Sequence, residues 1–276
     1  MMDLHIHSVI SHDGKALIRD YCLKARELGI TELGFSEHLD LFSNDPHFGL
    51  HDYERYLAEV REAREKFPDL QIRMGVEATF LPEIRKELQE YLEGKDYDYV
   101  LGAVHLLEGG RVTVSEEQDC QELFSRREAA DCYEEYFELT LEAVRSGLFD
   151  GLAHLDMINR YGRGYCPDWE WTGCYGLIRK TFEGMLKRGM ALEINGSGFR
   201  SQPAQSYPDQ DLIKFYRELQ GELVTVGSDA HKLEDLGGGI GQGLAILKYL
   251  GFPRLTTFER RNPLWVEIGN LKLVPD

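Results

Sequence analysis

The chain has 276 residues, with 31 Lys and Arg against 48 Asp and Glu and a formal charge of −17. That balance works against broad, nonspecific contact with nucleic acid or an anionic membrane, although a local cluster of cations could still hold a small anionic substrate. A chain of this length can bury the core of one large αβ domain, and with neither a basic, apolar leader nor an apolar run of spanning length, the expected compartment is the cytoplasm.

Residues 3–7 read as a first strand, and Leu17, Ile18, Tyr21, Ala25 and Leu28 then share one helical face before Gly29. A second strand over 31–36 leads into a polar loop with Asn44, Pro46 and Gly49. The next helical stripe is Tyr53, Tyr56, Leu57, Val60 and Phe67. "QIRMGVEATF" forms a third strand, 81–92 a helix, and "YDYVLGAVH" a fourth strand. A long acidic helix follows, its buried stripe Tyr133, Phe137, Thr140, Leu141 and Val144, with Gly147 as the stop. "FDGLAHLD", "MALEING" and "ELVTVGSDAH" supply the last three strands, each after a helical segment. The result is roughly seven βα units, which demand a parallel sheet, closed or open. The glycine run "LGGGIGQG" lacks the setting of a first βαβ unit and reads as a loop or helix cap before a helix over 244–250. Five cysteines, none in a CxxC pair, fit free thiols in a reduced compartment.

Side chains two apart on a strand share a face, so His5 and His7 project together as a chelating pair. Nearly every other strand ends in a possible ligand: His38, Glu77, His105, His154, and Asp229 with His231. In parallel αβ folds the C-terminal strand ends meet at one rim. Singly, His154 could be a core imidazole, Glu77 a helix-terminal carboxylate and Asp229 an N-cap; jointly, those readings need a separate accident at each strand end. His47 and His51 lie in the polar loop and are left out of the ligand set, for loop hydrogen bonding or a place over the pocket. The fourth strand has no lysine, which weighs against an amidohydrolase-type barrel that also begins with HxH.

From "DLHIHS" through "SEHLD", "GVEATF", "GAVH", "AHLDMINRYG" and "LEINGSGFR" to "GSDAH", the chain resembles the PHP (polymerase and histidinol phosphatase) metallophosphoesterases, and its histidinol phosphatase members most. The resemblance implies one PHP-type domain over 1–276, a distorted (β/α)7 barrel with two or three divalent ions. It places one ion on His5, His7, Glu77 and Asp229, a second on Glu77, His105 and His154, and a third on Asp13, His38 and His231. The motif spacing selects Asp13, although His12 beside it is chemically a good ligand. Ligation by nitrogen and oxygen suits Zn, Fe or Mn. Clustered ions acidify bound water, so the expected reaction is hydrolysis of L-histidinol phosphate by a metal-bridging hydroxide, with another small phosphomonoester as the alternative. Arg160 and Arg200 match the phosphate-binding arginines of the motifs, and Asn195 is expected to orient substrate or loop. Asp229, His231 or a metal-bound water is the candidate for the acid that protonates the leaving group. A noncatalytic, metal-stabilised module is disfavoured by the full ligand set. Ala103 in "GAVH" and the loop "LLEGGRVTVSEE" depart from the histidinol phosphatase pattern and bear on who binds, leaving the ligands untouched. Oligomeric state is left open.

Overall fold

Strands and helices of the computed structural model alternate in the order β1 (Met2–Ile6), α1 (Ile18–Leu28), β2 (Glu32–Leu39), α2 (Tyr53–Lys66), β3 (Gln71–Thr79), α3 (Arg85–Leu92), β4 (Tyr99–Ala103), β5 (Leu106–Leu107), β6 (Val112–Thr113), α4 (Glu117–Arg126), α5 (Ala129–Ser146), β7 (Gly151–Leu152), α6 (Asn159–Tyr165), α7 (Tyr175–Arg188), β8 (Ala191–Asn195), α8 (Gln210–Glu218), β9 (Val224–Gly227), α9 (Ile240–Tyr249), β10 (Arg254–Glu259) and β11 (Asn262–Glu267). The structure describes residues 1–45, 47–167, 169–201 and 204–270; Pro46 of the predicted loop lies outside them.

Seven strands pair in parallel in the order β1, β2, β3, β4, β7, β8, β9, and the two edges nearly close into a barrel. At the seam the Asp229 N–H donates to the His5 carbonyl at 2.8 Å and the His7 N–H to the Ala230 carbonyl at 2.9 Å. Only glycine fits at position 227 of this seam, because an added Cβ would stand 2.3 Å from the His5 Cβ. Closure is therefore what brings the last strand's Asp229 beside the first strand's His5 and His7.

The core has two layers. Helical stripes such as Tyr21, Cys22 and Ala25 of α1, Tyr56 and Val60 of α2, and Tyr133, Phe137 and Val144 of α5 are buried against the strands. A separate cluster of Tyr99, Leu101, Ala103, Ala153, Ala191 and Phe258 is drawn from the barrel strands and the C-terminal hairpin. Hairpin β10–β11 covers the end where the strands begin: Phe258 stacks on Tyr99 with centroids 5.9 Å apart, and Thr257 Oγ1 donates to Glu32 Oε1 at 2.5 Å. Arg260 and Arg261 donate backbone N–H groups to the Asp98 carboxylate and carbonyl. One mouth is thus covered, and the C-terminal strand ends are left for a site.

Several expected boundaries shift. The helix expected over 81–92 opens as a 3-10 turn at Pro82–Ile84 before α3, since proline suits a first turn. The glycine run caps α9, with Gly239 as N-cap at φ 79° and the helix starting four residues earlier than expected, at Ile240. The short antiparallel hairpins β5–β6 and β10–β11 are absent from the sequence reading. All five cysteines are free, and among the described residues no helix is long and apolar enough to cross a membrane.

Candidate metal centre

The side chains predicted at the strand ends meet at the open mouth. His5 Nε2 and His7 Nε2 are 3.0 Å apart, and each lies 3.6 Å from Glu77 Oε2. Asp229 Oδ1 stands 3.8 Å from the first imidazole nitrogen and 3.5 Å from the second. A tetrahedral ion with bonds of about 2.0–2.2 Å needs ligand atoms roughly 3.3–3.6 Å apart. These four atoms fit such an ion with small adjustments.

Glu77 Oε1 turns to a second group, 2.6 Å from His154 Nε2 and 3.5 Å from His105 Nε2, with the two nitrogens 3.3 Å apart. One carboxylate thereby offers an oxygen to each of two groups. In a third, Asp13 Oδ2 lies 3.0 Å from His231 Nε2 and 3.5 Å from His38 Nε2. Asp13, rather than His12, faces this group: the His12 ring stacks on His47 at 3.5 Å between centroids. The turn depends on Gly14, where a Cβ would fall 1.9 Å from the Ser8 carbonyl oxygen. His154 and Asp229 both hold positive φ, 24° and 56°, strain that persists only where surrounding contacts enforce it.

Partners behind the imidazoles decide which nitrogen faces inward. His5 Nδ1 meets Glu193 Oε1 at 2.6 Å. An ionised carboxylate only accepts, so this nitrogen carries the proton and Nε2 keeps its lone pair. The Ser11 hydroxyl donates to Glu37 Oε2 at 2.6 Å, so it must accept from His7 Nδ1 at 3.2 Å. Thr79 Oγ1 donates to Asp40 Oδ1 at 2.7 Å and so accepts from His105 Nδ1 at 2.9 Å. His231 Nδ1 donates to the Asp229 carbonyl at 3.1 Å. Four imidazoles thus share one orientation, Nδ1 outward and Nε2 toward the cluster, which leaves each Nε2 lone pair for an ion; His38 is turned otherwise, its Nδ1 3.0 Å from Glu77 Oε2.

Glu193 is missing from the sequence reading, yet it is buried and holds three groups. Besides His5, its other oxygen accepts from the His154 N–H at 2.9 Å and from Asn195 Nδ2 at 3.1 Å. Its signal was available: it lies two residues before Asn195, on the same face of a strand otherwise apolar.

Charge in the cluster is strongly displaced. Burial opposes ionisation of Glu77 and Asp229, but the neighbouring imidazoles, His5 first, hold both carboxyls well below their usual range. Burial likewise opposes protonation of His5, yet Glu193, Glu77 and Asp229 push it well above an ordinary imidazole. His7 moves the other way, lowered by burial and by His38 and His231. The acids demand positive charge at the centre, which is what a divalent ion supplies.

A cavity of about 860 Å³ opens over the cluster, lined among others by Arg160, Tyr161, Arg200, Thr113, Asp119 and His47. The Arg160 guanidinium stands 5.7 Å from the Tyr161 ring. Arg200 is also engaged by the protein itself. Its Nη2 donates to the Ser228 and Asp229 carbonyls at 2.8 and 3.2 Å, its Nη1 to the Gly238 carbonyl at 3.3 Å, and its Nε lies 3.5 Å from Asp235 Oδ1. These contacts tie the guanidinium to the Asp229 loop, while the side chain still lines the cavity. Of the two roles expected of Asn195, its contacts are with the loop: it is fully buried, giving its amide to Glu193 and accepting from the Ser197 N–H and hydroxyl at 2.9 and 2.6 Å. It orients the loop and does not line the cavity. His51 sits behind His38, donating from Nδ1 to the His38 carbonyl and accepting from the Tyr97 hydroxyl, both at 3.0 Å.

A nearly closed (β/α)7 barrel with an imidazole and carboxylate cluster at its open mouth is a PHP-type framework. The chain belongs to the PHP domain family, whose model matches residues 3–197. A protein named probable histidinol-phosphatase from Deinococcus radiodurans is 29% identical over 265 residues, covering 95% of this chain and 97% of its own. The histidinol-phosphatase of Lactococcus lactis is 26% identical, covering 94% of each chain. The crystal structure of a histidinol phosphate phosphatase from Lactococcus lactis, complexed with zinc, L-histidinol and phosphate, superposes with a TM-score of 0.85 at 22% identity, over 95% of this chain and 98% of that one. That likeness establishes the shared fold.

Proposed function

We propose that the chain, as one domain over 1–276, is a metal-dependent phosphomonoesterase that hydrolyses L-histidinol phosphate to L-histidinol and phosphate. The observation that carries the reading is the meeting of six imidazoles with Glu77 and Asp229 at ligand spacing, Asp13 beside two of those imidazoles, with both oxygens of Glu77 used in different directions. The shared name of full-length relatives supports the substrate.

Two or three ions, Zn, Fe or Mn, would be held by His5, His7, Glu77 and Asp229, by Glu77, His105 and His154, and by Asp13, His38 and His231. Such ions supply Lewis acidity and a water activated near neutral pH. The chain's own residues do the rest. Arg160 is the cation placed to pair with phosphate oxygens: it lines the cavity beside the Tyr161 ring, and no hydrogen bond or ion pair among the described residues engages its guanidinium. Arg200 fixes the Asp229 loop. Asp229, ionised at rest, is placed to take the proton released by the attacking water and hand it to the leaving oxygen: among the described residues its Oδ2 meets only Asn195 Nδ2, at a long 3.4 Å.

The test is phosphate release from histidinol phosphate and a panel of sugar and nucleotide monoesters, after chelator stripping and after each metal is restored. Metal-dependent release favouring histidinol phosphate is the expected result. Preference for another monoester would replace the substrate, and full activity after stripping would end the metal reading.

A further inference from the structure

Among the outer partners of the cluster, those of His105 differ from the others. His5 leans directly on Glu193, and His7 leans through Ser11 on Glu37; both carboxylates are buried inside the barrel wall. His105 leans through Thr79 on Asp40, which follows β2 and lines the cavity. His154, its companion in the same group, has an Nδ1 that is buried with no hydrogen-bond partner. The ring orientation of this group therefore depends on one hydroxyl and the acid behind it.

We propose that Thr79 and Asp40 form a positioning relay that holds His105 in its Nδ1-protonated tautomer and so sets the affinity of the ion shared with Glu77 and His154. This rests on the reading that these three residues ligate an ion. The logic is proton counting. Thr79 has a single hydroxyl proton, and the Asp40 carboxylate, an acceptor only, takes it at 2.7 Å. Towards His105 the hydroxyl can then only accept, so Nδ1 bears the proton and the Nε2 lone pair points into the cluster. Without Asp40 the hydroxyl is free to donate to His105, which would allow the tautomer with a protonated, non-ligating Nε2. Thr79 itself stands two residues after Glu77 on β3, so the bridging acid and the relay hydroxyl share one strand face.

The test uses the full chain, stripped and titrated with zinc in competition with a chromophoric chelator, and separately with cobalt to read ligand-field bands. Thr79→Val, nearly isosteric, should weaken one ion of the cluster about 10- to 100-fold, the usual cost of losing such a partner, while Thr79→Ser restores it. Asp40→Ala should act in the same direction, and the double variant should lose no more than Thr79→Val alone, because both cut one relay. The cobalt spectrum of the variants should change for that ion only. Equal zinc affinity in wild type, Thr79→Val and Asp40→Ala would overturn the relay, as would a double variant whose losses add, or a Thr79→Ser as weak as Thr79→Val. A wild-type chain that binds no zinc would instead refute the underlying reading of the site.

Discussion

Glu193→Gln tests the outer carboxylates most sharply, because the change removes one acceptor and keeps the shape. In the native site Oε1 accepts from His5 Nδ1 at 2.6 Å, and Oε2 accepts from the His154 N–H at 2.9 Å and Asn195 Nδ2 at 3.1 Å. A glutamine can offer its oxygen to only one side. If its nitrogen faced His154 and Asn195, two buried donors would lose their acceptor, at a cost of about 1–3 kcal/mol each. If it faced His5, one contact would be lost, and the imidazole could relieve the clash by moving its proton from Nδ1 to Nε2. The second arrangement is cheaper, and it is the one that blocks ligation. The expected outcome is a metal-free protein destabilised by only about 1–3 kcal/mol in denaturant unfolding, with zinc affinity reduced about 10- to 100-fold. Unchanged zinc affinity beside a large loss of stability would refute the reasoning, since the carboxylate would then serve the fold and not the ligand.

Glu77→Ala should cost more than one ion per chain by elemental analysis, because its two oxygens face separate groups; loss of a single ion would contradict bridging. Arg160→Ala should lower phosphate-ester turnover by roughly 10- to 100-fold, the scale of a lost charged hydrogen bond, with metal content unchanged; steady-state kinetics beside elemental analysis separates the two. His51 gives a pH signature: burial pushes its imidazole down to about 4 from 6.5. The unfolded chain therefore takes up this proton first as pH falls, and the stability His51 contributes, present above about pH 6.5, is lost towards pH 4. Denaturation of metal-free protein at pH 7 and 4.5 should show a loss roughly 2–3 kcal/mol greater for wild type than for His51→Gln.

The strand-end ligands were legible because each strand is an apolar run that stops at a charged or imidazole residue, and a parallel barrel gathers such ends by construction. Glu193 was harder to read, since a lone acid in "LEIN" looks like an outward-facing strand residue until barrel closure puts that face inward. The partners that hold Arg200 could not be read from its motif: they are backbone carbonyls of residues 228, 229 and 238, brought near only by the folded chain. Thr79 and Asp40 were hidden for the same reason, their connection running between two strand ends. Strands β5 and β6 have two residues each, too short to show alternation, and their turn glycines were visible only as a loop.

Diffraction from metal-loaded crystals at energies flanking the Zn, Fe and Mn absorption edges tests the central claim most directly. Anomalous peaks between His5, His7, Glu77 and Asp229 and between Glu77, His105 and His154, within about 2.0–2.3 Å of their nitrogens and oxygens, are the predicted result. Well-ordered side chains in the same positions with no anomalous peak among them would contradict the account.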